Sequence, residues 1–112
     1  MPVVIFRNRL RPESVDEYTA WATRMSDLAR TMPGHVSHKG FTAADGERVT
    51  IVEFETDAAM HAWATHPEHV AAQGKGRADF YLEYSLQVCD LRRETRFTAA
   101  PPAPAPEGSG PT

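Results

Sequence analysis

The sequence predicts an α+β domain of order β-α-β-β-α-β over residues 1–96. Three observations predict it: four stretches with the period of a strand, two regions with the period of a helix between them, and turn chemistry at the junctions.

Pro2 to Leu10 places Val4, Phe6, Asn8 and Leu10 on one face and Val3, Ile5, Arg7 and Arg9 on the other, which is the alternation of a strand. Ser14 and Glu17 then have the spacing of a capping box. Val15, Tyr18, Trp21, Ala22, Met25, Leu28, Ala29 and Met32 follow at intervals of three or four, the stripe of an amphipathic helix that Pro33-Gly34 ends. His35–Ala43 and the β-branched run Val49–Glu55 flank the turn dipeptide Asp45-Gly46 and read as a hairpin. Thr56 suits the cap of a second helix, and His66-Pro67 reads as a restart, so this helical region should break near Thr65. Phe80–Leu91 is the fourth strand, with Phe80, Leu82, Tyr84, Leu86 and Val88 on one face and Tyr81 and Cys89 on the other. Cys89 reads as a small buried strand residue. Residues 97–112 are rich in Pro, Ala and Gly and cannot bury enough surface to offset their ordering entropy. They are expected to form a flexible tail.

This order gives an antiparallel sheet with both helices on one face. Val3, Ile5, Tyr81 and Cys89 leave the other face partly apolar, and a two-fold homodimer with its sheets facing one another is the expectation.

Composition excludes several classes. A net charge of −3 with interspersed signs offers no basic stripe for nucleic acid or anionic lipid. No run of 18 apolar residues and no leader pattern appear, so a cytoplasmic location without a membrane partner is expected. One cysteine excludes an internal disulfide and a multi-cysteine zinc site.

The segment Trp63–Arg77 holds the densest polar cluster. A helix over 67–78 stacks His69, Gln73 and Arg77 on one face at i, i+4 and i+8, with Trp63 closing one end as a wall for a flat ligand. His66 has a plainer reading as a helix cap. Asn8, set among Val4, Phe6 and Leu10, is an amide on a buried face that needs a hydrogen-bond partner, from local backbone or from a ligand. His66 and His69 make only two metal ligands on one face, and the odd offset of His35 and His38 sends them to opposite faces of a strand. No metal site is expected.

The order of elements, Met32-Pro33-Gly34 after the first helix, the hairpin end Val52-Glu53-Phe54-Glu55-Thr56 and the helix bearing Trp63 together resemble the antibiotic biosynthesis monooxygenase superfamily. The resemblance spans residues 3 to about 96. It implies ferredoxin-like chains paired as dimeric α+β barrels. Its IsdG-like haem-degrading members carry an asparagine in the context Asn8-Arg9-Leu10 and a tryptophan matching Trp63, but their iron-ligating histidine falls here on Gln73. A neutral amide is a poor axial ligand, so the resemblance points away from haem and implies no cofactor. Another branch oxidises polyketide phenols without metal or flavin, because the substrate's own phenolate passes electrons to O2. Such a protein needs a base, an anion-stabilising group and a dry pocket. That likeness makes His69 or His66 the base, Arg77 the anion stabiliser, Asn8 and Gln73 the orienting partners and Trp63 the stacking wall for a small aromatic substrate. Related barrels catalyse cyclisation or isomerisation, so a non-oxidative reaction, haem binding or degradation, and a non-catalytic binding role stand as alternatives.

Overall fold

The computed structural model describes residues 1–100, and most of the expected tail lies outside them. Residues 91–100 are exposed and outside helix and strand. Strand β1 (Pro2–Leu10) leads through a single 3-10 turn at Pro12–Ser14 into helix α1 (Val15–Arg30). Strands β2 (His35–Thr42) and β3 (Arg48–Phe54) form the hairpin, with Gly46 at a positive φ of 90° in its turn. Helices α2 (Asp57–Ala64) and α3 (Pro67–Lys75) follow, then a single π turn (Gly76–Phe80) and strand β4 (Tyr81–Asp90). The sheet is antiparallel throughout, in the order β2-β3-β1-β4. This is the ferredoxin-like arrangement.

Directly paired residues share a face. Val4, opposite Val52 and Val88, therefore defines the side under the helices, where Ala29, Val52, Phe54 and Trp63 form the buried core. Thr56 Oγ1 accepts from the Ala59 amide at 3.1 Å and starts α2, while Gly34 at φ 81° turns the chain from α1 into β2.

Four local expectations are corrected. Ser14 makes no cap to α1; its hydroxyl donates to the Asp79 carbonyl at 2.8 Å, fastening the start of α1 to the π turn. The helix expected over 67–78 stops at Lys75, where the Tyr81 amide bonds to the Gly76 carbonyl, five residues back. Tyr81 does not face away from Tyr84. A bulge opposite Arg9 and Leu10 takes up an extra residue and brings the two rings within 5.7 Å. Cys89 is exposed, because it pairs with Val3 on the face the helices leave open.

Coverage by the helices is uneven. On β4 the helix-side residues Leu86 and Val88 are 58% and 54% exposed, so an apolar row stands at the free edge of the sheet. No helix among the described residues is long and apolar enough to cross a membrane.

Candidate active site

Trp63 lies at the centre of the core, 6% exposed, and its indole carries His69 on one face. The two rings are 4.1 Å apart with planes 12° from parallel. His69 Nδ1 lies 3.0 Å from the Trp63 carbonyl oxygen. A carbonyl only accepts, so Nδ1 carries the proton and Nε2 keeps its lone pair. Burial pushes the His69 pKa below its ordinary value, and the bond to the Trp63 carbonyl opposes this without cancelling it. The net result is a neutral imidazole with a fixed tautomer and a basic nitrogen.

The neighbours expected beside His69 divide. Gln73 is there, its Nε2 3.4 Å from His69 Nδ1, but the same Nε2 donates to the Ala64 carbonyl at 3.2 Å and braces the break between α2 and α3. His66 is the cap of α3: its Nδ1 accepts from the Glu68 amide at 3.2 Å, so the neutral ring presents an N–H at Nε2 rather than a base. Arg77 is exposed and lies in the π turn beyond the end of α3, where the 100° spacing that grouped it with His69 and Gln73 no longer holds. Room for that turn depends on Gly76, where a Cβ would overlap the Tyr81 ring.

The sheet contributes what the spacing argument missed. His35 and His38 lie on one face, not two, because Val36 is an extra residue between the pairs His35↔Phe54 and Ser37↔Glu53. Their rings are 6.3 Å apart, and His35 meets Phe54 edge-on at 6.1 Å. Burial and the positive field of Arg30 depress both pKa values, and His35 and His69 add to the effect at His38. His38 pairs with Val52, which belongs to the same core cluster as Trp63, the ring on which His69 is stacked. Among the described residues the buried side-chain polar atoms without a protein partner are His35 Nε2, His38 Nδ1 and both amide atoms of Asn8. All three side chains belong to the sheet face under the helices. Leaving such an atom unpaired costs about 1–3 kcal/mol, which makes the two imidazoles and, further along the sheet, Asn8 candidates for contact with a polar ligand.

Asn8 is 2% exposed and pairs with Arg48 on one side and Tyr84 on the other. It lies four residues along β1 from the level of His38 and Trp63, roughly 13 Å at 3.3 Å per residue, so it does not touch the His69–Trp63 pair. A groove of about 410 Å³ links the two levels between α1 and the sheet, lined by Tyr18, Arg30, His38, Arg48 and Thr50 among others. A second groove of about 410 Å³ runs between α1 and α3, where Trp21, Met25 and Ala71 give it apolar walls and the Arg24–Glu68 ion pair at 2.6 Å spans it. The first is lined by the unpartnered imidazole of His38 and is the better candidate for substrate, although Trp63, His69 and Asn8 are not among its lining residues. No cluster of three or more His, Cys, Asp or Glu that could hold a metal occurs among the described residues.

Residues 1–75 match the antibiotic biosynthesis monooxygenase family. The chain is also 33% identical over 94 residues to the uncharacterised protein YqjZ of Bacillus subtilis, covering 84% of this chain and 82% of that one. The chain belongs to the antibiotic biosynthesis monooxygenase family. Solved structures of similar fold include Rv0793 of Mycobacterium tuberculosis, with a TM-score of 0.76 and 21% identity over 86% of this chain and all of that one. SnoaB of Streptomyces nogalater, a cofactor-independent oxygenase solved in a mutant form, superposes with a TM-score of 0.72 at 16% identity over 83% of this chain and 94% of that one. At these identities the structures attest the fold.

Proposed function

We propose that this protein is a homodimeric oxygenase that oxidises a small phenolic or polyketide-type aromatic with O2 and no cofactor. The observation that carries this reading is the neutral, tautomer-fixed His69 stacked on Trp63, in the core cluster that includes Val52, the cross-strand partner of His38 with its unpartnered imidazole. SnoaB, of like fold, supports it as an example of an oxygenase that needs no cofactor.

His69 Nε2 takes the proton of the phenol, and the imidazolium formed stays hydrogen-bonded to the Trp63 carbonyl. The phenolate gives one electron to O2, and the resulting radical and superoxide combine as a peroxide on the ring. The imidazolium returns its proton to the peroxide. Loss of the ring C–H proton with cleavage of the O–O bond then releases water and leaves a quinone, so that phenol and O2 become quinone and H2O. Apolar walls around Trp63 keep bulk water from the radical pair. Arg77 is exposed, whereas His38 lines the groove with an unpartnered Nδ1, and on this reading His38 takes the anion-stabilising role as a donor to the developing oxyanion.

Oxygen uptake on a panel of naphthols and anthrones in chelator-treated buffer tests this reading. Uptake that His69→Ala abolishes supports it; no uptake across the panel favours a non-oxidative reaction in the same groove.

A further inference from the structure

We propose that Gln73 is a positioning residue for His69: by clasping the Ala64 carbonyl across the break between α2 and α3, it holds α3 where the His69 ring lies on Trp63 with Nδ1 at the Trp63 carbonyl. This deepens the proposed function and rests on it only for the role of His69 as the base.

The break leaves two successive carbonyls at the end of α2 without the amide four residues on that a continuous helix would supply. Pro67 has no N–H for the Trp63 carbonyl, and the Glu68 amide, which would serve Ala64, donates to His66 Nδ1 at 3.2 Å instead. Two side chains one turn apart on α3 fill these places. His69 Nδ1 lies 3.0 Å from the Trp63 carbonyl oxygen, and Gln73 Nε2 donates to the Ala64 carbonyl at 3.2 Å. Among the described residues these are the side-chain hydrogen bonds that run from α3 back to α2. The ion pairs of α3 lead elsewhere, Glu68 to Arg24 on α1, and Lys75 to Glu17 on α1 and to Asp79 in the π turn. The register of α3 against Trp63 therefore depends on the clasp.

A direct action of Gln73 on the imidazole would have the opposite sign. Gln73 Nε2 is 3.4 Å from His69 Nδ1, long for an N–H bond, and an amide donor there favours a bare Nδ1. The Trp63 carbonyl is closer and can only accept, so it puts the proton on Nδ1. Removing Gln73 strengthens the Nδ1–H form if the direct contact matters, and weakens that form if the clasp matters.

The test is long-range proton–nitrogen NMR of the imidazoles in the 15N-labelled full chain near neutral pH, with the His69 signals assigned by their loss in His69→Gln. The unaltered protein is expected to show His69 protonated at Nδ1, with its ring protons moved upfield by the indole of Trp63. Gln73→Met keeps the length of the side chain and removes the donor. It should convert His69 to a mixture of tautomers and return its ring protons downfield. Arg24→Gln, which frees α3 from α1, should change neither signal. An Nε2–H tautomer in the unaltered protein, which needs no variant to observe, overturns the proposal. So does an unchanged or stronger Nδ1–H form in Gln73→Met, or an equal change in Arg24→Gln. Oxygen uptake separates the two claims. On the oxygenase reading kcat falls in Gln73→Met in proportion to the tautomer lost, with KM held. The NMR changes without uptake by any protein leave this proposal standing without that reading, and uptake that requires His69 with no NMR change does the reverse.

Discussion

His69 is stacked on the indole of Trp63 and hydrogen-bonded through Nδ1 to the carbonyl of that same residue, so one residue fixes both the plane and the tautomer of the imidazole. The break between α2 and α3 makes this possible. Pro67, four residues on, has no N–H to give, so the Trp63 carbonyl, which accepts from the His66 amide at 3.1 Å, keeps a lone pair for His69 Nδ1.

That relationship sets a pH dependence. Burial holds the His69 pKa below 6.5 against the opposing bond to the Trp63 carbonyl, so the base stays unprotonated further into acid than an ordinary histidine. The acid limb of the rate profile is therefore expected below pH 6.5, and a limb at or above it would contradict the buried assignment. Stability follows the same sign. The unfolded state takes up protons at these imidazoles near their ordinary value, whereas His38 and His69 in the folded state do so only at lower pH. The fold therefore loses stability as pH falls below about 6.5, and His38→Gln should flatten that fall in urea titrations.

Asn8 is expected to lower stability in return for binding. Asn8→Leu, which replaces two unpartnered buried polar atoms with apolar ones of similar volume, should stabilise the fold by about 1–3 kcal/mol while weakening ligand binding. A destabilised variant would show that Asn8 is satisfied in solution.

Gly34 holds the turn that delivers His35 and His38 to the helix side. A Cβ there would stand 2.6 Å from Ala59 Cβ at a φ of 81°. Gly34→Ala should cost about 2 kcal/mol, with Ala59→Gly recovering the steric part and leaving the backbone part. Thermal unfolding of the three variants checks this.

The exposed Leu86 and Val88 on the free edge of β4 provide an apolar row for the proposed homodimer. Light scattering should give two chain masses for the protein and about one for Leu86→Asp. A single chain mass for both would remove the dimer.

Much of this architecture was legible in local chemistry. Pro33-Gly34, Asp45-Gly46, the Thr56 cap and the His66-Pro67 restart each act within a few residues, and the structure has each where the spacing places it. The features that spacing missed depend on contacts distant in sequence. The extra residue at Val36 and the bulge opposite Arg9 and Leu10 each shift the count by a residue, which moved His35 and Tyr81 to other faces than alternation assigns, and the π turn closed against Tyr81 ends the helical spacing before Arg77. A strand count of three between His35 and His38 pointed away from the pair that the fold brings together.

The central claim is that His69 drives oxidation of a phenol by O2 without a cofactor. The most direct measurement is oxygen consumption by the unaltered protein and by His69→Ala on one naphthol in chelator-treated buffer. One O2 consumed per phenol, with a rate on the order of 10²-fold lower in the variant, is the expected result. Equal rates for the two proteins, or uptake that disappears on chelation, would contradict it.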